Sequence, residues 1–161
     1  MVTSSSRSDL TIHIDSREKA RAITKIVRTF DEQGVKHFVS KLPFGDYMSL
    51  DNPRFVIDRK QNLLELCGNV CQQHKRFTAE LQGAKDYGIK LAILCEHGRN
   101  IQTLDDVMHW ENPRLKVSPM AVSGERLYKI LSAMRKHYGV EFYFCTKAQT
   151  GERIIELLGG G

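Results

Sequence analysis

A chain of 161 residues with 41% apolar content has the length of one domain around a single buried core. Its net charge of +5 suits a polyanionic partner such as nucleic acid, while the absence of any apolar run near the roughly 20 residues that span a bilayer, and of a hydrophobic leader, argues for an intracellular protein with no membrane association. It is expected in the cytoplasm of a prokaryote or phage-infected cell, or in the nucleus of a eukaryote.

Positions 1–10, with Ser4, Ser5, Ser6 and Ser8 and few apolar residues, are expected to form a disordered tail. Residues 11–15 read as a short strand ending in Asp15, after which Ser16 and Glu18 read as the cap and first turn of a helix. Ala22, Ile23, Ile26, Val27 and Phe30 recur at three- and four-residue steps and give that helix one apolar face until Gly34. Arg21, Lys25 and Arg28 fall opposite and read as an ordinary solvated face in preference to a phosphate-binding stripe. Residues 35–42 form the next strand, with Val35, Phe38 and Val39 expected to be buried and Pro43 closing it.

Residues 47–50 and 55–58 are β-prone, and Asp51, Asn52 and Pro53 between them are turn formers, which predicts a hairpin. With 35–42 it makes three neighbouring antiparallel strands. Side chains alternate along a strand, so Asp58 and Lys60 point one way, with Cα atoms about 7 Å apart, and Arg59 points the other. Asp46 opens the partner strand. A register that sets it beside Asp58 gathers two carboxylates and an ammonium at one end of the sheet, where a divalent cation with oxygen ligands supplies the counter-charge the acids need.

Asn62 followed by Glu65 forms a capping box, which gives Glu65 a structural job ahead of apolar Leu63, Leu66, Cys67 and Val70. Gly68 and Asn69 weaken this helix, and a second helical stretch carries Phe77, Leu81 and Tyr87, flanked by Lys75, Arg76 and Lys85, as far as Gly88. The run from Leu91 to Cys95 is continuously apolar, as expected of a strand buried on both faces, and ends in Glu96. Residues 97–122 are an inserted connection with one short helix near 103–110. Ser123 caps a helix in which Leu127, Ile130, Leu131 and Met134 share a face up to Gly139; 140–145 is a strand, 150–158 a last helix, and 159–161 a flexible glycine tail. The four cysteines, Cys67, Cys71, Cys95 and Cys145, sit within these apolar patterns and read as reduced core thiols. Cys67, Cys71 and His74 lack the fourth ligand of a structural zinc. No internal repeat or second domain is visible.

An acid followed by acid-x-Lys on adjoining strands resembles the PD-(D/E)xK nuclease core, in which two carboxylates hold Mg²⁺ or Mn²⁺ and a lysine helps position and deprotonate the attacking water. The element order looks like the restriction-endonuclease-like α/β fold, a central mixed β-sheet flanked by helices. More narrowly, Asp15-Ser-Arg-Glu18, Gly45-Asp46, Val56-Ile57-Asp58-Arg59-Lys60, Lys75-Arg76-Phe77 and the apolar strand ending in Glu96 are similar to the nuclease domain of XPF-type structure-specific endonucleases, whose motif reads GD, a spacer, then V-E-R-K-x-x-x-D. The resemblance covers residues 11 to 158.

This resemblance implies that Asp46 and Asp58 bind the metal, that the Arg59 carbonyl adds a ligand, and that Lys60 is the catalytic lysine. Asp15 falls on the family's acid near the metal site. Glu18 falls on a position that either supports the site from behind or caps a helix, and Arg76 on an arginine that holds a phosphate or orients a carboxylate. Two departures stand out: Asp58 replaces the family's glutamate, and Leu64 its last acid, with Glu65 one place later. Members commonly carry tandem helix-hairpin-helix modules after this domain, and none is read here. The family also implies branched DNA as partner, a role in DNA repair or recombination, and pairing as a homodimer or with a related subunit through the face of Leu127, Ile130, Leu131 and Met134 or that of Ile154, Ile155 and Leu158. The alternative is a non-catalytic DNA-binding scaffold subunit; members of that kind lose the acid or the lysine, and Asp46, Asp58 and Lys60 are all present.

Overall fold

Alternation along two central strands divides the apolar residues between the two faces of one sheet. Val56, Leu91, Ile93 and Cys95 point into one core, and Ile57, Ala92 and Leu94 into the other. The computed structural model describes residues 9–159. In chain order the elements are β1 (Thr11–Asp15), α1 (Thr24–Glu32), β2 (Lys36–Ser40), β3 (Tyr47–Ser49), β4 (Asn52–Lys60), α2 (Leu63–Cys71), α3 (His74–Asp86), β5 (Lys90–Glu96), α4 (Gly124–Tyr138), β6 (Glu141–Cys145) and α5 (Thr150–Leu158). The strands form one mixed sheet in the order β2-β1-β3-β4-β5-β6. Only β3 runs against its neighbours, while β1–β2, β4–β5 and β5–β6 are parallel pairs. Helices α2, α3 and α4 cover the first core, and α1 and α5 the second. The expected mixed α/β sheet flanked by helices is therefore present.

Several boundaries differ from the sequence reading. The first helix begins at Thr24, not beside Ser16, because residues 16–23 are drawn into turns. Ser16 N–H donates to Ser40 O at 2.9 Å, and Asp15 Oδ1 accepts from Leu42 N–H at 2.7 Å. Strand β2 is an edge strand parallel to β1, so the expected run of three antiparallel strands is wrong. Helix α1 makes a crossover between β1 and β2, which sets them parallel. As an edge strand β2 buries little; Val35 before it is buried, but Phe38 and Val39 are 39% and 59% exposed.

The break between α2 and α3 falls at Gln72 and Gln73, whose N–H groups both donate to Gly68 O; Gly68 itself stays helical. The 97–122 connection holds two 3₁₀ turns, Asp105–His109 and Pro113–Lys116, instead of one helix. Leu127, Leu131, Ile154 and Ile155 are at most 2% exposed, so both faces considered for dimerisation are filled by the chain's own core. Cys71 is exposed, unlike the other three cysteines, and all four are free thiols. Leu10 is already buried against the second core, and Gly159 closes α5; the rest of the two expected tails, positions 1–8 and 160–161, lies outside the described residues. Among the described residues no helix is long and apolar enough to cross a membrane.

Candidate active site

The hairpin register pairs Tyr47 with Ile57 and Met48 with Val56, and one step further along it Asp46 meets Asp58. Asp46 is held there by its own backbone: its N–H donates to Ile57 O and its carbonyl accepts from Asp15 N–H, both at 2.7 Å. Gly45 makes this approach possible. It has φ +69°, and a Cβ on it would strike Val56 Cγ1 and come within 3.0 Å of Ile57 O. The Asp46 and Asp58 carboxyls sit close together in a largely buried setting, with Asp58 only 7% exposed. Burial first, and the Asp58 charge second, push Asp46 up to about 9, against the pull of the Arg59 N–H that donates to Asp46 Oδ2 at 2.8 Å. Lys60 lies on the same face. Its Nζ is 3.4 Å from Asp58 Oδ2 and 5.7 Å from the centre of the Phe77 ring, which stacks under the cation from α3.

The Arg59 side chain points through to the other face, as strand alternation requires. Its Nε and Nη2 donate to Glu18 at 2.7 and 3.2 Å, and its Nη1 donates to Glu96 Oε1 at 3.0 Å. Tyr47 Oη donates to Glu18 Oε2 at 2.7 Å, and Thr150 Oγ1 to Glu96 Oε2 at 2.6 Å. Burial opposes the charge on Arg59, but the two carboxylates hold its pKa above the ordinary arginine value. One residue thus serves both faces: its amide steadies Asp46 and its guanidinium is clamped behind the sheet. Glu18 accordingly binds Tyr47 and Arg59 behind the sheet and caps no helix.

Asp15 is fully buried, and both its oxygens are occupied. Leu42 N–H donates to Oδ1, and Arg17 N–H and Nε donate to Oδ2 at 3.1 and 2.7 Å. Burial raises its pKa, but these hydrogen bonds together outweigh that and hold it below the usual carboxylate value. Its carboxylate ties the end of β1 to the segment leading into the hairpin, while its N–H holds Asp46. Arg76 sits exposed on α3 and makes no hydrogen bond or ion pair with Asp46 or Asp58; its charge is felt by Glu80 one turn later. Glu80, which sequence reasoning missed, is half-buried. Burial and the Asp58 charge raise its pKa, placing a third carboxyl within the field of the pair. The available signal was its position next to buried Leu81 on the Phe77 face. Glu65 caps its helix as expected, accepting from Gln61 N–H at 2.6 Å while its own N–H donates to Asn62 Oδ1 at 2.9 Å.

The donor set suits a hard divalent ion. Two neighbouring buried carboxyls beside a strand carbonyl at Arg59 are oxygen donors of the kind Mg²⁺ takes. Among the described residues no group of three or more His, Cys, Asp or Glu side chains forms a closed metal cage.

A family model, the ERCC4 domain, matches residues 14–158. Among solved structures the chain is similar to XPF from Aeropyrum pernix, with TM-score 0.65 and 19% identity over 92% of this chain and 63% of that one. It is likewise similar to XPF from Aeropyrum pernix in complex with DNA, with TM-score 0.65 and 18% identity over 94% of this chain and 64% of that one. The chain spans less than two thirds of the length of these structures, and at such identity the likeness establishes the fold. No curated protein sequence matches the chain.

Proposed function

The chain belongs to the ERCC4 domain family, and from that premise we propose that it is a metal-dependent DNA endonuclease that hydrolyses phosphodiester bonds at branched DNA such as flaps and forks, in DNA repair or recombination. The observation that carries this reading is the gathering of Asp46, Asp58 and Lys60 on one face at one end of the sheet, with the two acids set opposite each other by the hairpin register and the Lys60 ammonium 3.4 Å from Asp58.

Asp46 and Asp58, with the Arg59 carbonyl, would hold Mg²⁺ or Mn²⁺, which when bound supplies charge neutralisation at the phosphate and a more acidic water. Lys60, kept in place by Asp58 and Phe77, directs its ammonium toward the scissile phosphate and the attacking water. Arg59 holds Asp46 through its amide, and Glu18 and Glu96 hold Arg59. Arg76, exposed at the rim, is placed to meet a phosphate. Asp15 contributes by fixing the backbone on which Asp46 sits.

Cleavage of labelled flap, fork and linear duplex DNA, with Mg²⁺, Mn²⁺ or EDTA, tests the proposal. Metal-dependent cutting that disappears in both Asp58→Ala and Lys60→Ala is the expected result, with branched substrates cut faster than duplex. Binding of branched DNA by all three proteins without cutting by any of them would point to a scaffold subunit instead.

A further inference from the structure

On the sheet face opposite Asp46 and Asp58, a concavity of about 310 Å³ is lined by Arg21, Thr24, Lys25 and Arg28 of α1 and its approach, by Lys147 from the loop after β6, and by Glu96. Lys147 converges on it from a chain segment more than a hundred positions away. None of these four cations has a side-chain hydrogen bond or ion pair among the described residues, and all four are exposed. The acid at this cavity offers them little, because Glu96 is 3% exposed and its oxygens are taken by Arg59 and Thr150. Four unpaired positive charges around one hollow repel each other, and an anion among them would relieve that repulsion.

The location narrows the anion. Lys60 and Cys95 are Cα partners on β4 and β5, so Glu96 lies one residue beyond the level of Lys60; Cys145, the partner of Glu96, is two residues before Lys147. The cavity and the carboxylate pair therefore open at the same end of the parallel strands, on opposite faces. In open α/β sheets that end is where ligands collect. A free anion would satisfy the cavity alone, whereas a polynucleotide backbone passing over this edge meets both places with successive phosphates.

We propose that Arg21, Lys25, Arg28 and Lys147 form a phosphate-binding subsite for the nucleic-acid backbone, engaging phosphates flanking the one at the Asp46–Asp58 site. The assignment rests on the nucleic-acid reading above and deepens it. The subsite grips by charge and reads no base, so it contributes to affinity and to the path of the strand.

The test is a salt titration of binding to fluorescent duplex DNA in EDTA, where nothing is cut, by anisotropy with the intact chain, a Lys25→Gln/Lys147→Gln variant and a Lys129→Gln/Lys136→Gln variant. The control removes equal charge from exposed positions of α4. With about 0.9 counterions released per phosphate contact, the cavity variant should lower the slope of log affinity against log salt by about 1.8 and weaken binding at 0.1 M salt by about tenfold or more, while the control leaves the slope unchanged. An unchanged slope in the cavity variant overturns the subsite, as does an equal loss in the control or an intact chain that binds no DNA at 50 mM salt. Because binding is read apart from cleavage, a cavity-dependent slope in a protein that cuts nothing would leave the subsite standing and count against the nuclease reading alone.

Discussion

Replacing Arg59 by Met removes the single cation shared by two buried carboxylates. Arg59 is 4% exposed at its side chain, Glu18 10% and Glu96 4%, so water cannot take its place at either partner. Breaking a buried pair by deleting one member costs about 3–5 kcal/mol, chiefly because the orphaned charge stays buried. Here two acids are orphaned at once, although Tyr47 and Thr150 still donate to them, so a loss of about 4 kcal/mol is expected. For a chain of this size that lowers the melting temperature by roughly 8–16 °C. Urea unfolding at pH 7 and pH 5 is the assay. An orphaned buried glutamate has its folded pKa raised above the unfolded value, so its penalty grows as pH rises; the loss should be larger at pH 7 than at pH 5. Adding Glu18→Gln and Glu96→Gln should recover at least half of it. A loss below about 1 kcal/mol, or one indifferent to both pH and neutralisation of the acids, would refute the reasoning.

Two further outcomes follow from the hairpin. Gly45→Ala forces a side chain into the left-handed region and against Val56, for which about 1–2 kcal/mol of backbone strain and 1–3 kcal/mol of overpacking combine to about 2–5 kcal/mol by urea unfolding; a change under 1 kcal/mol would mean the turn relaxes freely. In EDTA, stability should fall as pH rises from about 4 to about 9, because folded Asp46 holds its proton up to about 9 and the unfolded chain releases it near the ordinary carboxyl value of 3.8. The slope is at most about 1.4 kcal/mol per pH unit. Equilibrium unfolding at several pH values should show it reduced both in Asp58→Asn and by saturating Mg²⁺, and an Asp58→Asn variant with the parent slope would remove the pair as its cause.

The site was legible where its chemistry is local. Strand alternation alone sets Asp58 and Lys60 on one face and Arg59 on the other, and the two β-prone stretches give the hairpin that delivers Asp46, although its turn falls at Leu50 and Asp51 and the expected turn residues Asn52 and Pro53 begin β4. What stayed hidden depends on partners distant in the chain. Glu18 reads equally as a support for the site or a helix-capping acid until Tyr47 and Arg59, from two neighbouring strands, are seen to claim it. Glu96 reads as a strand end until Arg59 and Thr150 meet at it. Asp15 passes for a site acid, and only the approach of Leu42 N–H shows both its oxygens already occupied. The direction of β2 was misread for a similar reason: sequence neighbours suggest a meander, and the decision rests on how α1 carries the chain back beside β1.

Strand β4 lies between β3 and β5, whereas β2 has one side open. Amides in such a central strand exchange with solvent only when the whole sheet opens, while an outer strand exchanges by fraying. Asp58 and Lys60 are therefore mounted on the stretch of backbone least able to breathe, and Asp46 is pinned to it by Ile57 and Arg59. Two carboxyl groups on a flexible loop would drift apart between encounters; on this strand they cannot, and the pair stays ready to give up the Asp46 proton when a cation arrives. The readiness of the site is thus a mechanical property of where the hairpin joins the sheet.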